Sequence, residues 1–356
     1  MIKYLGSKKK LLPAICEVVQ SRRGVRSVID LFSGTSRVGH ALKREGLQVF
    51  ANDLNHYAHT LAQCYVVADV EDVLDDVKRL VDACNALPGE PGYITEVFCK
   101  QSRFFSEENG ARIDAIRRHL RRLDLDEPLR SVMLTSLMEA ADRVDSTCGV
   151  QMAYLKSYAA RAKKPLELRV PDVLPRAAAG KGQATCLDVK DAVRQLSADV
   201  AYIDPPYNQH SYLGNYHVWE TLVLDDEPDF YGTACKRVDV KERKSEFNSK
   251  VKFRAALQDT IDHVDADVLV VSFSNEGFIA PDDMVELLQS RGDVEVYELD
   301  YKRYVGAQIG IHNHKGERVG EVSHLNNKEL LFRVKARQRR TSTSTTVQLA
   351  PVSLPG

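Results

Sequence analysis

Four consecutive residues, Asp204-Pro205-Pro206-Tyr207, combine an acid, two rings that fix the backbone and an aromatic. Each proline locks its φ and lacks an N–H, so the pair presents carbonyl oxygens rigidly instead of joining a strand ladder. A carboxylate beside a rigid carbonyl can accept both protons of one NH₂ group. An aromatic at the next position can stack on the ring that bears it. The need is chemical: an amine such as adenine's has its lone pair conjugated into the ring and is a poor nucleophile. Two acceptors holding its protons favour a pyramidal nitrogen whose lone pair points at an electrophilic methyl. In-line transfer then needs chiefly positioning and electrostatics, with neither a metal nor a covalent protein intermediate. A bare Pro-Pro pair would only punctuate a strand, with Asp204 as a cap. The flanking acid and aromatic, ending the apolar run 198–204, favour the chemical reading.

A second group lies upstream. Asp30-Leu31-Phe32-Ser33-Gly34-Thr35 places an acid at the end of an apolar run and a glycine in the turn that follows. Doubly wound folds bring backbone close to a nucleotide-like ligand with such a turn. Asp53, ending the next apolar run, is placed to accept hydrogen bonds from a ribose hydroxyl pair. Ser36 stands where a dinucleotide fingerprint would have its second glycine, which leaves a smaller adenosyl ligand. An incidental glycine after a strand would read the same way.

These residues need strands that end together. The runs 25–32 and 47–53 read as strands flanking a helix that ends near Glu45, one βαβ unit. Strand character returns at 198–204 and 265–274, and two late runs, VEVYELDYKRYV and KELLFRVK, read as a terminal hairpin around a long loop. Residues 70–160 look mainly helical. One helix there has Ile113, Ile116, Leu120 and Leu123 on one face, with Arg112, Arg117, Arg118, Arg121 and Arg122 elsewhere. Residues 161–184 mix Pro, Gly and charge and read as an exposed connection. The Ser/Thr/Pro-rich end, 336–356, reads as a disordered tail.

Composition bounds the rest. At 356 residues and 44% apolar the chain can bury a sizeable core, as one domain with an insertion or as two. Its formal net charge of −1 means that any nucleic-acid surface must come from local clusters of Lys and Arg. The seven cysteines are scattered singly, without metal-ligand spacing or a disulfide framework. His312, His314 and His324 have no acid or cysteine at consistent spacing and read as loop or surface. With neither a signal peptide nor an apolar run of membrane length, a soluble cytoplasmic protein with no membrane partner is expected.

With these residues in view, the chain resembles the Dam-type adenine-N6 DNA methyltransferases, over most of residues 1–335. Lys3-Tyr4-Leu5-Gly6-Ser7-Lys8 is similar to that family's N-terminal cofactor motif, which implies that Tyr4 and Lys8 help to hold S-adenosylmethionine. DLFSGTSRVG resembles its glycine-turn motif, with Ser36 in place of the usual glycine. Asp188 resembles an acid that contacts the cofactor's adenine, although a plain surface Asp fits as well. Ser272-Phe273-Ser274-Asn275-Glu276-Gly277 resembles a motif near the target base, and Tyr212, Tyr216, His217 and Trp219 follow DPPY closely enough to line the pocket.

The resemblance implies a Rossmann-like S-adenosylmethionine-dependent methyltransferase fold of the α/β class. Residues 1–69 with 185–335 would be catalytic, and 70–184 an inserted, mainly helical target-recognition domain. It implies a catalytic set of Asp204, Pro205, Pro206 and Tyr207, and a cofactor set of Tyr4, Lys8, Asp30, Gly34, Asp53 and Asp188. Double-stranded DNA is the implied partner, with a cognate restriction enzyme as a possible second one. The Arg-bearing helix, Lys100, Arg103, Lys163 and Lys164 are the expected DNA contacts as a group, and the target base must leave the stack. Two other readings stay open: the same chemistry on cytosine N4 or an RNA base, and a catalytically silent DNA-binding homologue.

Overall fold

The structure is a computed structural model, and it describes residues 1–274, 277–302, 311–312, 318–320 and 326–337. Seven strands form one sheet: β1 Ser27–Asp30, β2 Gln48–Asn52, β3 Gln183–Thr185, β4 Ser197–Ile203, β5 Asp265–Ser274, β6 Gly292–Lys302 and β7 Asn326–Ala336. Their order is β3-β2-β1-β4-β5-β7-β6. The first five run parallel, and β7 enters antiparallel to both β5 and β6. The strand order reverses between β1 and β4, and at such a switch point the crevice beyond the carboxyl ends is open to a ligand. Pairing of Asp30 with Tyr202 and of Asp30 with Ala51 brings the ends of β4, β1 and β2 to one edge.

Both faces of the central strands β1, β4 and β5 are covered, as parallel strands require, whereas Val296 and Tyr297 of the edge strand β6 are exposed. The main helices are α1 Leu12–Gln20, α2 Arg37–Arg44, α3 His56–Ala62, α4 Val70–Ala86, α5 Glu107–Leu123, α6 Leu129–Arg143, α7 Val189–Gln195, α8 His217–Leu224, α9 Phe253–His263 and α10 Pro281–Gln289. Alternation along each strand divides the core. Val28, Val200, Val268 and Val270 face Ile15, Val19 and Leu42 of α1 and α2. Their neighbours Ile29, Ala201, Leu269 and Val271 face Val193, Leu257, Ile261 and Leu288 of α7, α9 and α10.

The helical stretch after β2 builds a third cluster. Val77 and Leu80 of α4, Ile113, Ile116 and Leu120 of α5 and Leu137 of α6 pack with Tyr57 of α3 and Trp219 of α8. The expected insertion therefore shares its core with elements on either side of it in sequence. Three of the four residues expected on the apolar face of α5 are buried, whereas Leu123, at its C-terminal end, is 40% exposed.

Two expectations need correction. Residues 161–184 are not simply an exposed connection: Ala162, Leu166, Leu168 and Leu174 are buried, and the segment ends in β3. Asparagine side chains supply the backbone partners that hold it. Asn109 Nδ2 donates to the carbonyls of Ala162 and Lys164, and Leu168 N donates to Asn85 Oδ1. The long loop of the terminal hairpin also contains a short antiparallel pair, Ile311–His312 with Arg318–Gly320. The hairpin itself is present as β6 and β7. His314 and His324, with the expected tail beyond residue 337, lie outside the described residues. Among the described residues no helix is long and apolar enough to cross a membrane, and no cluster of His, Cys, Asp and Glu could hold a metal.

Candidate active site

The glycine turn sits between β1 and α2. Ser33 N donates to Asn52 O, tying the turn to β2, and Ser36 N donates to Ser33 O. Gly34 has φ +50, and a Cβ there would meet the Tyr4 ring at 3.3 Å, so glycine lets Tyr4 lie against the turn. Ser36 also adopts a left-handed conformation, φ +55, as the N-cap of α2, and is wholly buried. A residue with a side chain thus stands where the backbone favours glycine.

Each acid at the strand ends has a defined neighbourhood. Asp30 Oδ2 accepts from Gly39 N. Burial, and secondly the negative charge of Asp204, push its carboxyl up to about 8. Asp53 accepts from Gly34 N at 2.9 Å through one oxygen and from Asn55 N and Nδ2 through the other. Burial raises its pKa against those three donors. Asn52, which sequence reasoning missed, joins three segments: its amide donates to Leu31 O and Leu187 O, and its oxygen accepts from Leu187 N.

Asp204 follows β4 directly. Its Oδ1 lies 3.1 Å from Lys8 Nζ, and the same ammonium lies 2.7 Å from Glu329 Oε1 of β7. Ser272 Oγ donates to Glu329 at 2.6 Å. Burial pushes Asp204 up to about 6, Lys8 pulls it down and Glu329 pushes it up. Burial alone would lower Lys8, but Asp204 and Glu329 outweigh it and hold the ammonium charged. Lys8 is therefore engaged by two carboxylates, Asp204 and Glu329. Glu329 was not anticipated; its one signal in the sequence is an acid preceding the apolar run of β7.

One cleft, of about 1030 Å³ including space open to solvent, gathers most of the expected residues. Tyr4, Lys8, Asp30, Gly34, Asp53, Asp188, Asp204 and Pro206 all line it. Asp188 is exposed and caps α7 by accepting from Lys190 N, so it serves as a cap at the rim. Pro205 is buried and Tyr207 half-buried, and neither lines this cleft. The Tyr207 ring instead packs edge-on against Phe273, with centroids 5.7 Å apart.

Of the aromatics after DPPY, Tyr212 lines the cleft, while His217 and Trp219 are core. Tyr4 stacks on both Tyr212 and Tyr216, at 5.2 and 4.6 Å between centroids, and Leu5 N donates to the Tyr216 hydroxyl. The N-terminal motif is thereby fixed to the segment that follows DPPY. Glu220 of α8, wholly buried, accepts from His56 Nδ1 and Tyr57 N at the start of α3 and from Arg243. Burial pushes Glu220 up, but these donors outweigh it and leave its pKa lowered.

The expected DNA-contacting arginines are mostly occupied elsewhere. Arg112 donates to the carbonyls of Leu87 and Asn85, and Arg117 to those of Leu222 and Val223. Arg118 pairs with Glu90, Arg121 with Asp225, and Arg103 with the Lys156 carbonyl. Four of the five arginines of α5 thus bind the protein to itself, Arg112 and Arg117 through carbonyls at helix ends beside α5 that need donors, and Arg118 and Arg121 through acids.

The residues fit an adenosyl methyl donor. The cleft walls carry the acids Asp53, Asp188 and Asp204, with the Asp30 carboxyl, pushed up to about 8, beside them, which suits a ligand bearing a sulfonium and an ammonium. At Gly34 a side chain would crowd the Tyr4 ring in a left-handed backbone, and the buried hydroxyl of Ser33 has no hydrogen-bond partner of its own.

Residues 4–286 match the family described as D12 class N6 adenine-specific DNA methyltransferase. The chain is 29% identical over 335 residues to Type II methyltransferase M.NlaIII of Neisseria lactamica, covering 90% of this chain and 98% of that one. It is 29% identical over 316 residues to Type II methyltransferase M.CviAII of Paramecium bursaria Chlorella virus 1, covering 85% and 92%. Against Type II methyltransferase M.FokI of Planomicrobium okeanokoites it is 29% identical over 325 residues, and it spans 50% of that protein's length.

Proposed function

The chain belongs to the D12 class N6 adenine-specific DNA methyltransferases, and from that premise we propose how its own residues serve methyl transfer to adenine N6 at a specific DNA site. S-adenosylmethionine, when bound, supplies the electrophilic methyl group. Tyr4, Asp30, Gly34, Asp53 and Asp188 hold it: the acids favour its positive charges, Asp53 takes the ribose hydroxyls, and Gly34 lets the backbone approach. Asp204 and the Pro205 carbonyl accept the two protons of the adenine amine and aim its lone pair. Pro206 keeps that carbonyl rigid. Tyr207 stacks on the extruded base. Lys8 steadies Asp204 and keeps its negative charge next to the amine as the nitrogen becomes positive. The proton released afterwards passes to Asp204 and on to solvent.

The observation that carries this reading is the position of Asp204. It follows β4 directly in the same cleft as Asp30 and Asp53, at the switch point of the sheet, with its carboxylate held by a buried lysine. Residues 1–69 with 185–335 act as the catalytic part, and 70–184 as the target-recognition insertion. A cognate restriction enzyme is the counterpart suggested by the relatives named as type II methyltransferases, and the cytoplasm is where its DNA would be met.

The test is transfer of a labelled methyl group to unmethylated double-stranded DNA, followed by nucleoside analysis and sequencing for the modified base. Label in N6-methyladenine at one recurring sequence is expected. Label confined to N4-methylcytosine, RNA or protein would overturn the reading.

A further inference from the structure

Three cations line the cleft, and two are committed. Lys8 lies between Asp204 and Glu329, and Arg243 between Glu220 and Asp239. The third is Arg37, the first residue of α2. Among the described residues it forms no ion pair, and its Nε is buried without a hydrogen-bond partner. An unpaired guanidinium part-way out of water costs free energy unless an anion completes it. Burial already lowers its pKa. Ser33, four residues before it and 7% exposed, lines the same cleft with a hydroxyl that also lacks a partner. The first N–H groups of α2 add a third preference for negative charge.

A planar guanidinium, a free hydroxyl and a helix start together suit a small oxyanion. The methyl donor carries one such group, the carboxylate of its methionine portion, while its sulfonium and ammonium are cations suited to the acids of the cleft. Resting on the cofactor reading above, we propose that Arg37 and Ser33 form the subsite for that carboxylate. This subsite selects the intact donor over a decarboxylated one. Arg37 also borders a second cavity, beside Lys3 and Gly149, so a DNA phosphate arriving from that side is the competing anion.

Calorimetric titration separates these sources. The protein, Arg37→Gln and Arg37→Lys are each titrated with S-adenosylmethionine, with decarboxylated S-adenosylmethionine and, without cofactor, with duplex DNA. The unaltered protein is expected to prefer the intact donor by about 10- to 100-fold, the scale of a charged hydrogen-bonded contact. Arg37→Gln abolishes that preference by weakening only the intact donor, and Arg37→Lys restores part of it. If Arg37→Gln does not fold, the preference of the unaltered protein and the Lys variant carry the test. Equal weakening of both donors, or loss of DNA affinity with donor affinity intact, overturns the proposal. Failure of the unaltered protein to bind S-adenosylmethionine would instead overturn the cofactor reading on which it rests.

Discussion

Asp204 is held by opposing influences, burial raising its carboxyl to about 6 and Lys8 drawing it down, with Glu329 adding to the rise. An ionised carboxylate is the better acceptor for an amine proton and the better partner for a nitrogen gaining positive charge. The single-turnover rate of methyl transfer should therefore be flat above pH 7 and fall as pH drops through about 6. Removing the charge of Glu329 lifts one cause of the rise, so Glu329→Gln should move the break to lower pH by up to about 1. A pH–rate profile checks both, and a break that moves upward would contradict the arrangement. At this scale Asp204, Asp30, Gly34 and Asp53 were legible, because each is a chemical type at the end of an apolar run. Glu329 was not: residues 329–332 of β7 are all buried, so no alternation marks which of them face the site. Arg37 was equally hidden, since nothing in its local sequence says that it lacks an acid.

The turn between β1 and α2 carries a cost that belongs to the element. Ser36 occupies a left-handed conformation with its hydroxyl buried and unpartnered, while glycine would adopt the same backbone freely at some loss of unfolded-state restriction. The left-handed cost and the orphan hydroxyl together outweigh that loss. Ser36→Gly should raise stability in a urea melt by about 1 kcal/mol, and Ser36→Val, β-branched in the same conformation, should lower it by more. A Ser36→Gly protein less stable than the parent would show that the hydroxyl has a role here. Most elements were readable from their periods; the apolar run at 265–274 became β5 without a change of boundary. β3 escaped because three residues carry no period, and only pairing with β2 makes them a strand.

Across the whole molecule, the helical stretch is tied into the catalytic part more firmly than its place as an insertion suggested. Arg117 of α5 donates to two carbonyls at the C-terminal end of α8, at 2.8 and 3.0 Å. Those carbonyls lack helical partners, so Arg117→Ala should lower stability by about 1–3 kcal/mol. It should leave the salt dependence of DNA binding unchanged. Unaltered melting with a shallower slope of log affinity against log salt would instead make Arg117 a phosphate contact. Sequence order suggested an insertion, but it could not tell a solvated arginine from one spent on the protein's own carbonyls. That distinction depends on which backbone ends come to lie beside α5.

The central claim is that Asp204 grips the target amine and does not merely cap a strand. Its most direct test compares Asp204→Ala with the parent in single-turnover methylation of unmethylated DNA, with S-adenosylmethionine affinity measured alongside. Loss of a preorganised acceptor should lower the rate by about 100-fold or more while donor affinity changes only a few-fold. Methylation that proceeds at the parent's rate in Asp204→Ala would contradict it.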